Sequence, residues 1–409
     1  MKSLKTVIAF IAALLAVSEL PARAVELEGV EIHGFLSQGY IKTTKENGFP
    51  VIDSGQGSFK FNDFGINFSK QLTPALRVGM QLFAFDRGTY GKDKVTLDWA
   101  YGDYRLTDWL GFRAGKVKIP LGLFNEARDN DALRTFIFLP QQAYLDYERD
   151  SLVAIMGGGI YGSIPLESAG TLNYQLLVGN VPAVADGGFA TEIGSMMSTG
   201  SAELQIDSIS SKTSLAHSLE WRTPLPGLRT LFTGLHTTLS GTGTATNLNT
   251  NGVGTAEWKY DSLHRYMFSV EYTYNDLVLS SEYELDDYTL RVNYADPLLA
   301  PFNSKQKSDA WSIMATYRLN DWFEVGSYYH EVYADRNHRN GSTFASFGLN
   351  EPFNMWWKDL VLTLRFDPVP NVVLKVEGHK VNGNYEVIEN FDGSKKDWYI
   401  LATKATFSF

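Results

Sequence analysis

The chain has 409 residues, no cysteine and a formal net charge of −10 at pH 7. Without cysteine it has no disulfide framework and no thiol-based metal or redox site. The negative charge argues against a nucleic-acid partner and gives no general attraction for anions, so a preference for anions would need a local cluster of basic residues.

Residues 1–24 have the pattern of a secretory signal peptide. A basic start is followed by the apolar run Val7–Val17, and Ala22 and Ala24 are small residues before a predicted cleavage site. The run is too short to cross a bilayer as a helix, which argues against the alternative of a retained membrane anchor. We therefore predict an exported protein in which residues 25–409 form a single domain.

Short turn signals rich in Pro, Gly, Asn and Asp separate segments of alternating apolar and polar residues. They lie at 72–74, 107–108, 165–170, 224–227, 275–276, 320–321 and 367–371. Longer polar segments, which we predict to be loops, cover 44–57, 88–93, 120–150, 181–210, 241–256, 294–307, 336–355 and 385–395. These seven turns and eight loops predict an antiparallel barrel of about sixteen strands with both ends in the periplasm. About 14 or 18 strands would also fit the pattern.

The segments between the turns have the two-residue period of β-strands. In residues 265–274 aromatic and aliphatic side chains take the even positions, while Arg265 and Glu271 take odd ones. The last segment, Tyr399–Phe409, alternates in the same way. A soluble β-sandwich would alternate too, but charges on the second face are costly in a dry core and cheap on the wall of a wet channel. The sequence therefore predicts an all-β transmembrane barrel in the lipid of a Gram-negative outer membrane.

The third predicted loop, 120–150, mixes charged residues with apolar anchors such as Leu121, Phe124 and Phe136. An external loop needs few such anchors, whereas a loop folded into the barrel needs them to pack against the wall while its charges face water. We predict that this loop is tucked into the barrel and narrows the pore. The candidate pore-lining and constriction residues are Arg77, Arg113, Lys116, Lys118, Glu126, Arg128, Asp129, Asp131 and Arg134.

Three motifs near this loop carry a family resemblance. They are Ala100–Tyr104 (AYGDY), Phe112–Gly122 (FRAGKVKIPLG) and Asn125–Asp129 (NEARD). The sequence here resembles the phosphate-selective (O/P-type) porins of Gram-negative outer membranes. The resemblance implies a homotrimeric, sixteen-stranded channel for passive diffusion of ions and small polar solutes, with anions such as phosphate among them. It also implies that Lys116 and Lys118 lie at or near the constriction.

The charge pattern itself points to a mixed field and not to an anion filter. The predicted lumen faces carry the acids Glu271, Glu282, Glu284 and Asp286. A pore with bases such as Arg77 and acids such as Glu126 on facing sides would select polar solutes by size and dipole more than by net charge. For each of these charges, an alternative is a solvated loop position or a salt bridge that anchors the loop.

The alternation of residues in the strand before the loop predicts which of its side chains face lipid and which face the lumen. Leu110, Phe112 and Ala114 suggest that even positions face lipid, which would point Lys116 and Lys118 outward and Arg113 inward. A β-bulge at Gly115 would turn the two lysines inward.

Other functions remain as alternatives. A sugar- or carboxylate-specific channel would differ only in its lumen contacts. An outer-membrane enzyme would need a nucleophile–base pair, yet the histidines at 33, 217, 236, 264, 330, 338 and 379 are scattered singly. An adhesin would need aromatic or arginine anchors, which are few in the loops 183–200 and 240–255. We predict a non-enzymatic channel without cofactor or metal.

Overall fold

The structure is a computed structural model that describes residues 25–44, 51, 54–88, 90–141, 143–347, 349, 351–385 and 395–409. The predicted signal peptide and parts of the predicted loops 44–57 and 385–395 lie outside the described residues. Among the residues that the structure describes, no helix is both long enough and apolar enough to cross a membrane.

Sixteen antiparallel strands close into one barrel, which confirms the predicted fold and strand number. In chain order they are β1 (Val30–Thr43), β2 (Asn62–Thr73), β3 (Leu76–Asp86), β4 (Thr96–Thr107), β5 (Leu110–Lys118), β6 (Ala154–Pro165), β7 (Thr171–Asn180), β8 (Thr213–Arg222), β9 (Leu228–Asn247), β10 (Val253–Tyr274), β11 (Leu277–Tyr294), β12 (Phe302–Asn320), β13 (Phe323–Tyr333), β14 (Trp356–Val369), β15 (Val372–Gly383) and β16 (Asp397–Ser408). Three short strands add to them: Val25–Leu27 pairs with the start of β1, while Ala202–Ile206 and Ser210–Ser211 pair with β9 ahead of β8.

The barrel closes where β16 pairs with β1. The register runs from Ile400 opposite Thr43 to Ser408 opposite Phe35. Beyond it, Gly34 and Phe409 exchange two backbone N–H···O hydrogen bonds of 3.0 Å. No edge is left unpaired at this seam, which is what an antiparallel sheet needs in a membrane.

The seven predicted turns all coincide with short connections between neighbouring strands. Two predicted loops were too long, however. β9 continues to Asn247, β10 begins at Val253 and β12 begins at Phe302, so most of 241–256 and part of 294–307 are strand. The Gly- and Thr-rich composition of 241–256 suggested a loop. These residues instead extend the neighbouring strands β9 and β10 and pair with one another, as Gly243 does with Ala256.

One side of the wall is therefore taller than the other. β9, β10, β11 and β12 have 20, 22, 18 and 19 residues, whereas β5, β7 and β8 have 9, 10 and 10. Helix α1 (Gly188–Met197) packs on this tall side: Phe189, Ile193 and Met197 belong to the same buried apolar cluster as Trp258 and Leu290. The upper part of the tall wall thus has an apolar inner face covered by α1.

Lower on the strands the two faces are those predicted. Large apolar side chains such as Phe268, Leu362 and Leu401 are exposed on one face, while Arg265 and Lys404 are buried on the other. An exposed apolar face and a polar face that is screened from solvent are the pattern of a barrel with lipid outside and its charges inside. This fold agrees with the predicted location in the Gram-negative outer membrane.

Candidate functional site

The connection between β5 and β6, residues 119–153, is called here the β5–β6 segment. Its only regular structure among the described residues is two short 3-10 turns, Asp131–Leu133 and Asp146–Glu148. Most of its residues are nonetheless buried, including Phe136 and Tyr144 at 1% exposure. The segment is therefore covered by other parts of the protein, as the apolar anchors in its sequence predicted.

Asp131 anchors the middle of the segment to β15 and β16. Its carboxylate lies 3.0 Å from the Lys375 ammonium and 3.5 Å from that of Lys404, and it accepts a hydrogen bond of 2.8 Å from the Thr406 hydroxyl. Burial raises the pKa of Asp131, but the charges of Lys375, Lys404 and the neighbouring Arg134 outweigh burial and hold the pKa below its usual value. Asp131 is thus a buried anion matched by buried cations.

A second charged cluster ties both ends of the segment to β2, β3 and β4. Arg149 lies 2.8 Å from Asp129, and Lys118 contacts Asp129 and lies 3.3 Å from Asp98. Arg149 also lies 3.7 Å from Asp63 on β2. All these side chains are at most one-tenth exposed, so the charges neutralise one another away from bulk water.

Carboxylates of the barrel wall also accept hydrogen bonds from the segment. Glu377 on β15 accepts from the backbone N–H groups of Ile137 and Phe138 at 2.7 and 2.9 Å. Glu282 on β11 accepts from the Leu123 backbone N–H at 2.9 Å and from the Tyr144 hydroxyl at 2.9 Å. These two glutamates accept hydrogen bonds from backbone N–H groups of the segment that would otherwise be unpaired.

Arg265 on β10 joins the segment to a group of acids on β11. It lies 2.9 Å from Glu148 of the segment, 3.2 Å from Glu284 and 2.8 Å from Asp286. Of the lumen acids singled out in the sequence, Glu282, Glu284 and Asp286 therefore contact the segment or its partner Arg265, and Glu271 pairs with Arg229 at 2.8 Å.

The four basic candidates on the strands do not form one cluster. Arg77 is exposed and lies 3.5 Å from Glu31. Arg113 is paired with Asp103 at 2.8 Å. Lys116 is partly exposed and donates to the backbone carbonyl of Leu97 at 2.6 Å. Lys118 alone joins the buried cluster around Asp129, so the structure does not bring these four bases together opposite the acids of the segment.

The remaining candidates lie on the segment itself. Arg128 is buried and donates to the backbone carbonyls of Tyr144 and Leu145 at 2.8 Å, which ties two parts of the segment together. Arg134 lies 3.6 Å from Asp131. Glu126 is exposed. Most of the charges that the sequence suggested for the pore are thus used to hold the segment.

The β-bulge that would have turned both lysines inward is not found at Gly115, because β5 pairs with β4 and with β6 without a register shift at that residue. The shift lies instead on the neighbouring strand β4, where Gln81 pairs with Trp99 and Leu82 with Leu97, so that Asp98 is the extra residue. This shift places the Asp98 carboxylate beside Lys118 at the end of β5. Gly115 has a φ of +135°, a backbone conformation that residues with a Cβ atom rarely adopt, so glycine is favoured there even without a bulge.

The two lysines give a direct test of this arrangement. We expect Lys118→Glu to destabilise the folded barrel by about 3–5 kcal/mol, because it adds a third carboxylate between Asp98 and Asp129 and removes their cation. Lys116→Glu, on the same strand but partly exposed, is the matched control and should cost under about 1 kcal/mol. Urea unfolding of the protein in lipid vesicles measures both, and equal costs would contradict the placement of Lys118.

A cavity of about 380 Å³ lies between the segment and the short side of the wall. The segment contributes Pro120, Gly122, Leu123 and Glu126, and strands β4 and β6 to β9 contribute the rest together with Asp108 of the β4–β5 turn. Its neutral polar lining consists of Tyr161, Ser163, Asn173, Tyr174, Gln175 and Ser218. Its charged lining consists of Arg105, Asp108, Glu126, Glu220, Arg222 and Arg229.

The sequence reasoning missed the wall charges of this cavity. Arg222 and Arg229 lie on either side of the predicted turn at 224–227, Arg105 lies just before the turn at 107–108, and Asp108 is part of that turn. Their signal was available in the sequence, because charged residues cluster at these two turns.

The histidines do not form a metal site. His217, His236 and His264 lie on the partly exposed face, and the Nδ1 atoms of His236 and His264 are 2.7 Å apart. His379 is buried between Asp359 and Glu377. In the described part of the chain, no three or more His, Cys, Asp or Glu residues are grouped so as to hold a metal ion.

The sequence matches no protein-family model, and it matches no curated protein. Solved structures, by contrast, share the fold. The outer membrane channel DcaP of Acinetobacter baumannii is 11% identical, with a TM-score of 0.54 over 95% of this chain and 100% of that one. The anion-selective porin from Comamonas acidovorans is 9% identical, with a TM-score of 0.54 over 93% and 99%. The trimer form of OmpT, an outer membrane protein of Vibrio cholerae, is 10% identical, with a TM-score of 0.54 over 93% and 99%. At such low identity these likenesses establish the shared barrel fold.

Proposed function

We propose that the protein is a porin, a water-filled channel through which ions and small polar solutes diffuse passively across the outer membrane. The observation that carries this proposal is a closed barrel of sixteen strands with a polar cavity of about 380 Å³ along its wall. Barrels of this strand number are wide enough to leave an aqueous channel. The fold shared with an outer membrane channel and an anion-selective porin supports the same function.

We also propose that the β5–β6 segment lies inside the barrel and forms its constriction. The support comes from its contacts: it reaches Asp63 on β2, Glu282 on β11 and Lys375 on β15, which are far apart around the wall. A segment that touches such distant strands through their polar faces crosses the interior. The open path then runs beside the segment, through the cavity on the side of β4 to β9.

Phosphate selectivity, which the family resemblance implied, receives little support from the charges. Anion channels line the pore with unpaired Arg and Lys. Here Lys118 is paired with two carboxylates and Lys116 donates to a backbone carbonyl. A sugar-specific channel is the second candidate, because Tyr161, Tyr174 and several amide and hydroxyl groups line the cavity.

Stepwise single-channel currents in planar bilayers are the expected result for purified, folded protein. The physical reason is that a continuous water path through a barrel conducts ions in discrete units, one per inserted channel. Heat-denatured protein is the control. Folded protein that inserts but gives no current steps would overturn the proposed function, and swelling of protein-loaded liposomes in sugars against salts separates a general pore from a sugar-specific one.

A homotrimer is proposed as the assembly. Trimerisation is implied by the family resemblance, and one of the structures with this fold is a trimer. The outer wall of β4 to β6 has a row of small residues, Gly102, Ala114 and Gly158, next to the exposed pair Tyr104 and Phe112, which would allow close approach of a second copy. Chemical cross-linking in vesicles tests this assembly.

A further inference from the structure

The arginines of the cavity all have acid partners. Arg105 lies 3.1 Å from Asp108, and Arg222 contacts Glu220. Arg229 lies 2.8 Å from Glu271 and 3.4 Å from Glu220. Each of these pairs acts on a passing ion as a dipole and not as a net charge, because the two opposite charges are only a few ångströms apart.

A further arginine on this side of the wall is also paired. Arg113 on β5 lies 2.8 Å from Asp103, and its guanidinium is 4.5 Å from the ring centroid of Tyr161, which lines the cavity. No arginine of this side is therefore left over to attract an anion.

Glu126 is the exception among the cavity-lining charges. It is exposed on the segment side of the cavity and forms no ion pair with any residue that the structure describes. Its backbone carbonyl accepts from the Lys118 ammonium at 3.4 Å, so the chain at this point is tied to the buried cluster while the carboxylate remains unpaired. With Glu271 counted as the partner of Arg229, although it is not itself part of the lining, the charged groups at the cavity are four acids and three arginines, so one net negative charge is left, on Glu126.

We infer that Glu126 determines the selectivity of the channel and makes it prefer cations, including small organic solutes with an ammonium group, over phosphate and other anions. The inference rests on the proposed channel function and names the solute class of that same path. An unpaired carboxylate beside the open path lowers the energy of a cation there and raises that of an anion. The paired arginines opposite contribute no comparable attraction for anions.

Reversal potentials in a KCl gradient across planar bilayers test the inference. The wild-type channel should be more permeable to K⁺ than to Cl⁻. Glu126→Gln should lower the K⁺/Cl⁻ permeability ratio about twofold or more, and Glu126→Lys should lower it further and favour Cl⁻. Glu257→Gln is the matched control, because it neutralises an exposed glutamate on β10 that does not line the cavity. This control should leave the ratio unchanged.

The outcomes separate the inference from the function on which it rests. A channel that conducts but prefers anions, or whose ratio is the same in wild type, Glu126→Gln and Glu126→Lys, overturns the role of Glu126 and leaves the porin proposal intact. Folded protein without conductance overturns both. Because Glu126 is exposed, both substitutions should leave folding unaffected, which heat-resistant mobility on gels confirms before the recordings.

Discussion

Replacing residues 120–152 by a short Gly/Ser turn is expected to raise single-channel conductance about twofold or more, because it removes the segment that we propose to lie inside the barrel. The barrel should tolerate the deletion, because the ends of the segment are already neighbours. Lys118 pairs with Ala154 across the β5–β6 hairpin, and the Ile119 N–H donates to the Val153 carbonyl at 3.0 Å.

Lys375, which the deletion leaves without its partner Asp131, would then face water, whereas Arg265 keeps Glu284 and Asp286. Hydration removes most of the cost of an unpaired charge in a dry interior, so the wall should keep its fold. Replacing residues 295–301 of the β11–β12 loop by a Gly/Ser sequence of equal length is the control for loop changes in general. An unchanged conductance in the deletion variant, with the control also unchanged, would contradict an interior position for the segment.

The second large effect is expected from Asp131→Asn, which should destabilise the protein by about 3–5 kcal/mol, because it leaves the Lys375 ammonium buried without its counter-charge. Asp186→Asn is the matched control. Asp186 also pairs with a lysine, Lys94 at 2.9 Å, but both side chains are more than half exposed, so its loss should cost under about 1 kcal/mol. Urea unfolding in lipid vesicles gives both values.

A double substitution and a pH series sharpen this prediction. Lys375→Met together with Asp131→Asn removes both charges and should cost less than the sum of the single changes. The pKa of Asp131 is lowered in the folded protein, so its stabilisation is fully present above the ordinary carboxyl value of 3.8 and is lost only as the pH falls further towards the folded pKa. Between pH 7 and about pH 5 the Asp131 carboxylate should therefore stay ionised, and its contribution to the stability of the wild-type protein should not change. Additive single changes would argue against a direct pair.

The architecture was predictable because the signals for it are local. A turn such as Asn275-Asp276 and the alternation of 265–274 each depend on neighbouring residues alone, and counting them gave the correct strand number. The tall side of the wall was missed because the Gly- and Thr-rich composition of 241–256 is typical of a loop, whereas these residues pair with one another in the β9–β10 hairpin and with Ala202–Ile206. Helix α1 was missed because its Gly-, Ser- and Thr-containing sequence has low helix propensity, and it is held by burial of Phe189, Ile193 and Met197.

The details of the site were less predictable, because they depend on contacts between residues far apart in the chain. The sequence named Asp131 as a candidate constriction residue but gave no sign of its partner Lys375, which follows 244 residues later. It also treated Lys116 and Lys118 as equivalent, whereas the register shift at Asp98 on another strand separates their roles. Only the closed barrel brings these side chains together, so their ion pairs cannot be predicted from a local sequence pattern.

The pairing of β16 with β1 also has a consequence for how the protein folds. The hydrogen bonds of this seam join the two ends of the barrel, so they are the contacts of highest sequence separation, and their loop-closure entropy is lost before they form. Hairpins such as β10–β11 can form early, but the sheet keeps two unpaired edges until β16 pairs with β1, where Gly34 and Phe409 form their hydrogen bonds. An unclosed sheet can pair with another chain, so we expect the slow step of folding, and the stage most prone to aggregation, to be the joining of these two strands.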